Sequence, residues 1–348
     1  MKKSLLALAV AAAIPAAAQA QSNVTLYGIV DTGVEYLNDD AAPSLKSGFR
    51  LMDTSATWNG SRFGVRGVEP LGNSGMSAIF GIESRLGVDT GNTGGALYTP
   101  TAGSKSDNTQ FWNGLAYVGL RGGFGELTMG RQYTPGFYAW IASDFTANAG
   151  YQNWALVGTP GMTGNASYGA VRADNSVMLT STMGGLTVRA MAALGEGDLT
   201  SATAAASGNI YGLAGVWQAT KTVAVTGFYH KSDSFTTTTM DTSYGVSGKL
   251  DLGAMGLTLG YSNLELHNGS DFDTLLLSAY LNVGKGKVFA NAHKIDGSDG
   301  KNALNVGLSY VHPLSNRTSI YLQGSYADYE DYAKGTQTKV ALGLNHKF

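Results

Sequence analysis

Long stretches of strict two-residue alternation are the feature that most constrains this chain. In residues 24–36 the even positions are largely apolar, whereas the odd positions carry both acids of the segment, Asp31 and Glu35. Residues 76–86 repeat the pattern, with both of their charged side chains on the polar face. A period of two over ten or more residues indicates β-strands with one apolar and one polar face. We therefore predict an all-β protein.

The length of these segments separates a soluble β-sandwich from a membrane barrel. Strands in soluble sheets typically have about 5–6 residues, and the alternating segments here are roughly twice as long, close to the ~9–11 residues that a bilayer-crossing strand needs. A lysine or arginine facing lipid at mid-depth costs roughly 2–4 kcal/mol, and the charges here fall on the polar faces. No segment after the N-terminus approaches the ~18 apolar residues of a spanning helix. A transmembrane barrel with a wet lumen is therefore predicted.

The alternation divides the chain into about sixteen strands. Backbone groups in lipid have no water partners, so the first and last strands must pair and close the sheet. Tight turns alternate with long links, which is typical of outer-membrane barrels, and a closed sheet of this size encloses an aqueous channel. The predicted strands are 24–36, 61–69, 76–87, 111–121, 125–133, 172–182, 185–195, 209–219, 222–232, 240–251, 255–266, 272–284, 287–296, 302–312, 318–328 and 336–348.

The N-terminus has the three regions of a secretory signal peptide. Lys2 and Lys3 precede an apolar stretch, and Ala18-Gln19-Ala20 supplies small residues at the cleavage spacing. We therefore expect residues 1–20 to be a signal peptide that is removed during export. Residues 21–348 are expected to form a single antiparallel barrel domain.

Composition and motif spacing exclude several classes of function. The absence of cysteine excludes thiol enzymes and disulfide-stapled domains, and the formal net charge of −2 gives no basic surface for nucleic acid. The histidines lie apart, without the spacing of a metal site. We expect no catalytic residue, no metal and no cofactor. The histidines are His230, His267, His293, His312 and His346.

The segment 134–171 is long, lacks period-two order and is rich in aromatic residues. Loops of this length are uncommon unless they are functional, and exposing so many aromatic rings to water would be costly. The barrel interior is the surface available to cover them. We therefore expect this third long loop to fold inward and narrow the channel.

Several motifs resemble those of general, non-specific porins of Gram-negative outer membranes, especially those of betaproteobacteria. The resemblance covers residues 21–348. It implies a homotrimeric, 16-stranded outer-membrane barrel, surrounded by lipid and lipopolysaccharide, through which ions and small hydrophilic solutes diffuse passively. The motifs are Val24-Thr25-Leu26-Tyr27-Gly28, Ser61-Arg62-Phe63-Gly64-Val65-Arg66-Gly67, Ala116-Tyr117-Val118-Gly119-Leu120, Phe124-Gly125-Glu126-Leu127, Gly130-Arg131-Gln132, Arg172 with Asn175-Ser176-Val177, and Phe348.

The resemblance also implies a constriction where lumenal arginines face acids, expected at Arg62, Glu83, Arg131, Asp144 and Arg172. Alternation directs Arg62 and Glu83 inward. It directs Arg131 outward unless the strand contains a bulge or has ended. Other lumen-lining residues are expected at Asp31, Glu35, Arg66, Arg85 and Arg189, and Phe348 is the expected assembly signal.

One departure from the family pattern leaves the ion preference open. Where related porins usually carry an arginine, this chain has Asn113-Gly114-Leu115. A passive diffusion channel is the main hypothesis. A substrate-selective channel is the alternative, and a barrel adhesin or surface enzyme is a third. Stepwise conductance in planar bilayers distinguishes channels from the third class, and block of the current by a solute identifies the second.

Overall fold

Within the residues that it describes, the computed structural model has seventeen β-strand segments, one α-helix and a short 3-10 turn. The predicted signal peptide lies outside the described residues. The structure describes residues 23–40, 47–52, 57–93, 111–147, 149–152, 171–195, 208–233, 240–298, 300, 302–329 and 335–348.

The strand boundaries agree with the alternation to within a few residues. The α-helix is α1 (Pro135–Ser143), and the 3-10 turn covers Gly150–Gln152. The strands are β1 (Asn23–Asp39), β2 (Gly48–Leu51), β3 (Arg62–Pro70), β4 (Ser77–Arg85), β5 (Leu115–Gly122), β6 (Gly125–Tyr133), β7 (Arg172–Met183), β8 (Leu186–Ala193), β9 (Ile210–Gln218), β10 (Val223–Ser232), β11 (Met240–Asp251), β12 (Met255–Leu266), β13 (Asp271–Val283), β14 (Gly286–Gly297), β15 (Ala303–Pro313), β16 (Thr318–Tyr329) and β17 (Gly335–Lys347).

The sheet is antiparallel and closed. From β3 to β17 each strand pairs with the next. Strand β1 closes the barrel, because it pairs with β17 along one edge and with β2 and β3 along the other. At this seam Asp31 lies opposite Asn345 and Gly33 opposite Gly343. Because β2 and β3 share one position beside β1, the barrel has sixteen strand positions. The predicted closed 16-stranded barrel is confirmed.

The break between β2 and β3 was not predicted, because residues 37–60 were assigned to a loop. The four-residue β2 extends the barrel wall beyond β3. Met52 and Trp58, which flank the break, are buried in a cluster that includes Phe289 and Tyr321. Burial of these two large side chains on the inner side of the barrel accounts for the departure of the chain from the wall.

The two faces of the wall differ as the alternation predicts. On β1, Val30 and Val34 are 41% and 49% exposed, whereas Asp31 and Glu35 are at most 1% exposed. Leucines dominate the outer faces of β12 and β13, while buried serines and threonines lie on the inner faces, together with a few apolar side chains such as Leu264 and Leu276. An apolar outer surface around a polar interior is the arrangement that a lipid environment requires.

Helix α1 begins directly after β6 and was not predicted as a helix. Thr134 caps it, since its hydroxyl accepts a hydrogen bond from the Phe137 amide at 3.2 Å, and Pro135 occupies the first turn. A threonine cap followed by proline is a recognised helix start. Trp140 is packed in a buried cluster with Leu264 and Leu276 of the inner wall. Such contacts are those expected of an inward-folded third loop. No helix among the described residues is long and apolar enough to span a membrane.

Candidate pore constriction

Two arginines and a glutamate meet where β3 and β4 run side by side. Arg62 and Arg85 are directly opposite each other in the sheet register, so their side chains share the inner face. The Glu83 carboxylate lies between them, with its oxygens 3.6 Å from Arg62 Nε and 3.4 Å from Arg85 Nε. Glu83 is 4% exposed. One buried carboxylate thus forms ion pairs with two guanidinium groups.

A glycine on β3 allows a third strand to reach this acid. Gly64 lies between Tyr27 of β1 and Glu83 of β4 in the register. A Cβ at position 64 would stand 2.6 Å from the Tyr27 ring, so the ring occupies the space that a side chain there would fill. As a result, the Tyr27 hydroxyl crosses β3 and donates a hydrogen bond to Glu83 at 3.2 Å.

Tyr133, the last residue of β6, joins Arg172 to this arrangement. Its hydroxyl oxygen accepts hydrogen bonds from Arg85 Nη2 at 2.9 Å and from Arg172 Nη2 at 3.1 Å. The Arg172 guanidinium also lies over the Tyr133 ring, 4.6 Å from its centroid. Arg62, Glu83, Arg85, Tyr133 and Arg172 are therefore connected, and we refer to these five residues as the arginine group.

The arginine group carries more positive than negative charge. It contains three guanidinium groups, which stay protonated in proteins, and the single carboxylate of Glu83. The Nε atom of Arg172 is buried and has no hydrogen-bond acceptor among the described residues. The group is thus suited to attract anions and repel cations that come within a few ångströms.

Arg131 lies beside the arginine group with partners of its own. It donates to the Asn113 carbonyl at 2.9 Å and pairs with Asp174 at 2.6 Å. The register between β6 and β7 is irregular at this point, and Asn175 has a φ of 51°. Sequence reasoning allowed a bulge here, and the strands contain such an irregularity. Whether Arg131 belongs to the constriction stays a prediction.

Asp144 lies at the C-terminal end of α1, against β13, and not among the contacts of the arginine group described above. Its carboxylate accepts hydrogen bonds from the Thr146 amide at 3.0 Å and the Ser278 hydroxyl at 3.3 Å. Lys249 of β11 donates to the Ala142 carbonyl at 3.1 Å, close to this acid. The end of α1 thus contacts β11 and β13, whereas the arginine group lies on β3, β4, β6 and β7. A role for Asp144 in facing the arginines also stays a prediction.

Two of the expected lumen-lining acids hold loop segments inside the barrel. Asp31 accepts hydrogen bonds from the Tyr321 hydroxyl at 2.7 Å, the Asn345 amide at 2.8 Å and the Asn59 backbone at 2.7 Å. Glu35 contacts Arg50 and the Tyr151 hydroxyl. Both carboxylates therefore make structural contacts that hold these segments in place.

The expected lumen-lining arginines Arg66 and Arg189 lie on the rings of tyrosines. Arg66 is 5.4 Å from the Tyr27 ring centroid, and Arg189 is 4.3 Å from that of Tyr138. Burial raises the pKa of Tyr138, on helix α1, to about 12, and the Arg189 guanidinium opposes that rise. Tyr138 therefore remains a neutral phenol at physiological pH.

A series of aromatic rings follows one part of the inner wall. Ring centroids are 4.7 Å apart for Phe145 and Tyr280, 6.4 Å for Tyr280 and Phe289, and 5.6 Å for Phe289 and Trp58. A track of open aromatic rings would favour a substrate-selective channel. The rings of Trp58, Tyr280 and Phe289 are buried, however, and they form a packed cluster. These buried rings therefore give no support to the substrate-selective alternative.

Several residues that complete the candidate site were not selected from the sequence. Tyr27 and Tyr133 were missed because tyrosines are common on barrel strands, and nothing local marks one as an arginine partner. Arg50 and Lys249 were missed because their roles depend on loops that fold back to them. The start of α1, in contrast, carries a readable signal in Thr134-Pro135.

Lys249 is predicted to anchor the end of α1 to the wall. Besides its hydrogen bond to Ala142, its ammonium lies 4.3 Å from the Phe145 ring centroid. A hydrogen bond from a charged donor contributes roughly 1.5–3 kcal/mol, so Lys249→Met is expected to populate displaced loop states at least about tenfold more. Single-channel recordings should then show added noise and substates. Lys287→Met, which removes an ammonium stacked on Tyr280, is the matched control, and equal noise in both variants would contradict the anchor.

A closed barrel with an apolar exterior, a polar interior and a charged group on its inner wall defines a channel protein of a membrane. A family model described as Gram-negative porin matches residues 7–332. The chain therefore belongs to the Gram-negative porin family. The predicted family, the outer-membrane location and the passive diffusion channel are confirmed.

Curated relatives extend over the whole chain. Outer membrane porin protein 32 of Delftia acidovorans is 31% identical over 386 residues, with 100% of both chains covered. An outer membrane porin protein of Bordetella pertussis is 28% identical over 406 residues, again with 100% of both chains covered. These relatives are porins, which are channels rather than enzymes.

Solved porin structures match the fold. The anion-selective porin from Comamonas acidovorans has a TM-score of 0.75 and 26% sequence identity, with 94% of this chain and 100% of that chain covered. The trimer form of OmpT, an outer membrane protein of Vibrio cholerae, has a TM-score of 0.64 and 16% identity, with 94% and 99% covered. The second match shows a shared fold alone.

Proposed function

We propose that the arginine group forms the selective part of the constriction and that the channel prefers anions. The observation that carries this proposal is the ratio of three guanidinium groups to one carboxylate, in a group that Glu83 and Tyr133 connect. The name of the similar structure, an anion-selective porin, supports the same preference. The proposal answers the question that Asn113-Gly114-Leu115 leaves open in the sequence.

The mechanism requires only electrostatics and water. An anion that enters the lumen exchanges part of its hydration for guanidinium donors, whereas a cation meets a repulsive potential there. Because the guanidinium groups line a water-filled lumen, binding remains weak enough for the ion to leave. Small hydrophilic solutes follow the same path by diffusion. No catalytic step, cofactor or nucleic acid enters this scheme.

The apolar exterior of the barrel indicates which partners surround the protein. The apolar exterior would contact outer-membrane lipid and lipopolysaccharide, and part of it would join copies of the chain into a homotrimer. The homotrimer is the assembly that the resemblance to general porins implies. Chemical cross-linking of the purified protein, followed by denaturing electrophoresis, is expected to give a three-chain species. Residues 1–20 are proposed to be removed before assembly.

The reversal potential under a salt gradient tests the proposed anion preference. Purified protein in a planar bilayer is expected to give stepwise conductance. In a KCl gradient, its reversal potential is expected to lie between zero and the equilibrium potential of chloride. Potassium and chloride have nearly equal mobilities, so the sign reports the protein itself. A reversal potential on the potassium side would contradict anion preference while leaving the channel intact.

A further inference from the structure

We propose that Tyr133 positions Arg85 and Arg172 as a pair and thereby sets how strongly the channel prefers anions. This inference rests on the proposed constriction and assigns a role to a residue without charge. It predicts that selectivity depends on a single phenol oxygen as well as on the arginines themselves.

The geometry shows how one neutral group holds two cations. The Tyr133 oxygen receives one hydrogen bond from each guanidinium, at 2.9 Å from Arg85 and 3.1 Å from Arg172. Two guanidinium groups this close repel each other. A carboxylate between them would hold them equally well but would cancel one of their charges. A phenol oxygen can accept two hydrogen bonds and leaves both charges in place.

The phenol ring is itself fixed by helix α1. It stacks on Phe137, with the ring centroids 4.7 Å apart and the planes at 29°, and meets the edge of Tyr138 at 5.8 Å. The following residue, Thr134, is the cap of the helix. The ring therefore has few alternative orientations, and its oxygen is a fixed reference point for two long, flexible side chains.

Loop position and arginine position are coupled through this residue. Because the ring touches α1 and the oxygen touches β4 and β7, a displacement of the helix would move the acceptor that both guanidiniums share. Loss of the acceptor would allow the two cations to separate under their mutual repulsion. The positive potential at the constriction would then be spread over a larger volume, and an anion would be attracted less strongly.

Tyr133→Phe tests the proposal because it removes only the oxygen. The ring remains available to stack on Phe137 and to contact the Arg172 guanidinium. We expect the chloride-to-potassium permeability ratio to fall at least twofold, with the thermal stability of the purified protein unchanged. Tyr138→Phe is the matched control, since it removes a hydroxyl from the neighbouring ring while keeping the face on which Arg189 lies. That control is expected to keep the wild-type ratio.

The double variant Arg85→Ala/Arg172→Ala provides the readout that a merely structural role would not affect. If Tyr133 acts through the two arginines, Tyr133→Phe should change the permeability ratio in the wild-type background and have no further effect in the double variant. An equal effect in both backgrounds would overturn the positioning role. An unchanged ratio in Tyr133→Phe would also overturn it.

Separate arginine variants distinguish a failure of the positioning role of Tyr133 from a failure of the proposed constriction. If Arg62→Ala and Arg172→Ala change the selectivity but Tyr133→Phe does not, the constriction stands and the positioning role is wrong. If none of the three variants changes the selectivity, the proposed constriction is wrong, and the inference about Tyr133 falls with it.

Discussion

Replacement of Arg62 or Arg172 by alanine is expected to shift the ion selectivity toward cations by about two- to fivefold. A unit charge at about 4 Å interacts with an ion by roughly 1 kcal/mol in water-like surroundings, and by less at larger separations. Since about 1.4 kcal/mol corresponds to a factor of ten, one guanidinium accounts for a change of this size. The barrel should still fold, because both side chains lie on the inner face.

Reversal potentials of the purified variants in a KCl gradient measure the shift. Arg62→Lys is the matched control, because it keeps the charge beside Glu83 while losing the planar guanidinium. It is expected to stay near the wild-type permeability ratio. An unchanged ratio in both alanine variants would remove Arg62 and Arg172 from the constriction, and an equal loss in Arg62→Lys would show that charge is not the property that matters.

Deletion of Phe348 is expected to reduce the folded protein in the outer membrane by about tenfold. The Phe348 backbone exchanges two hydrogen bonds with Gly28, at 3.0 and 3.1 Å, and its ring lies where a Cβ of Gly28 would stand. The deletion leaves the Gly28 amide and carbonyl without these partners, and unsatisfied backbone groups in lipid cost several kcal/mol each. The barrel seam would be weakened at the point where it closes.

Heat-modified mobility on denaturing gels measures the folded fraction in membrane extracts. Phe348→Tyr keeps both the ring and the backbone bonds and is the control, with a level expected near that of the wild type. The channels that do assemble without Phe348 should conduct normally, because its exposed ring covers Gly28 on the outer face of the wall, whereas the side chains of the arginine group lie on the inner face. Wild-type levels of the truncated protein would show that Phe348 is not an assembly signal.

The strands and their faces could be predicted from the sequence because alternation is a local property. The inward directions of Asp31, Glu35 and Glu83 follow from the period of two alone. Closure of β1 on β17 follows from the absence of water in lipid. The break between β2 and β3 could not be predicted in this way, since it depends on a cluster that Met52 and Trp58 form with distant strands.

The candidate site was only partly predictable for the same reason. Arg62, Glu83 and Arg172 were selected by resemblance, and Arg62 contacts Glu83 directly, but Arg172 is linked to them only through Tyr133 and Arg85. Those two residues lie on different strands and meet across a separation of 48 positions. No local pattern specifies such a contact. It arises from the barrel register and from the helix that fixes the tyrosine ring.

The seam between β1 and β17 also determines when the protein can finish folding. Asp31 and Asn345, which bond across it, are 314 positions apart in the chain, and contacts between such distant residues form slowly because of loop-closure entropy. Until the last strand arrives, both edges of the sheet expose unpaired backbone groups that can pair with other chains. Pairing of β17 with β1 is thus the step that ends this aggregation-prone interval.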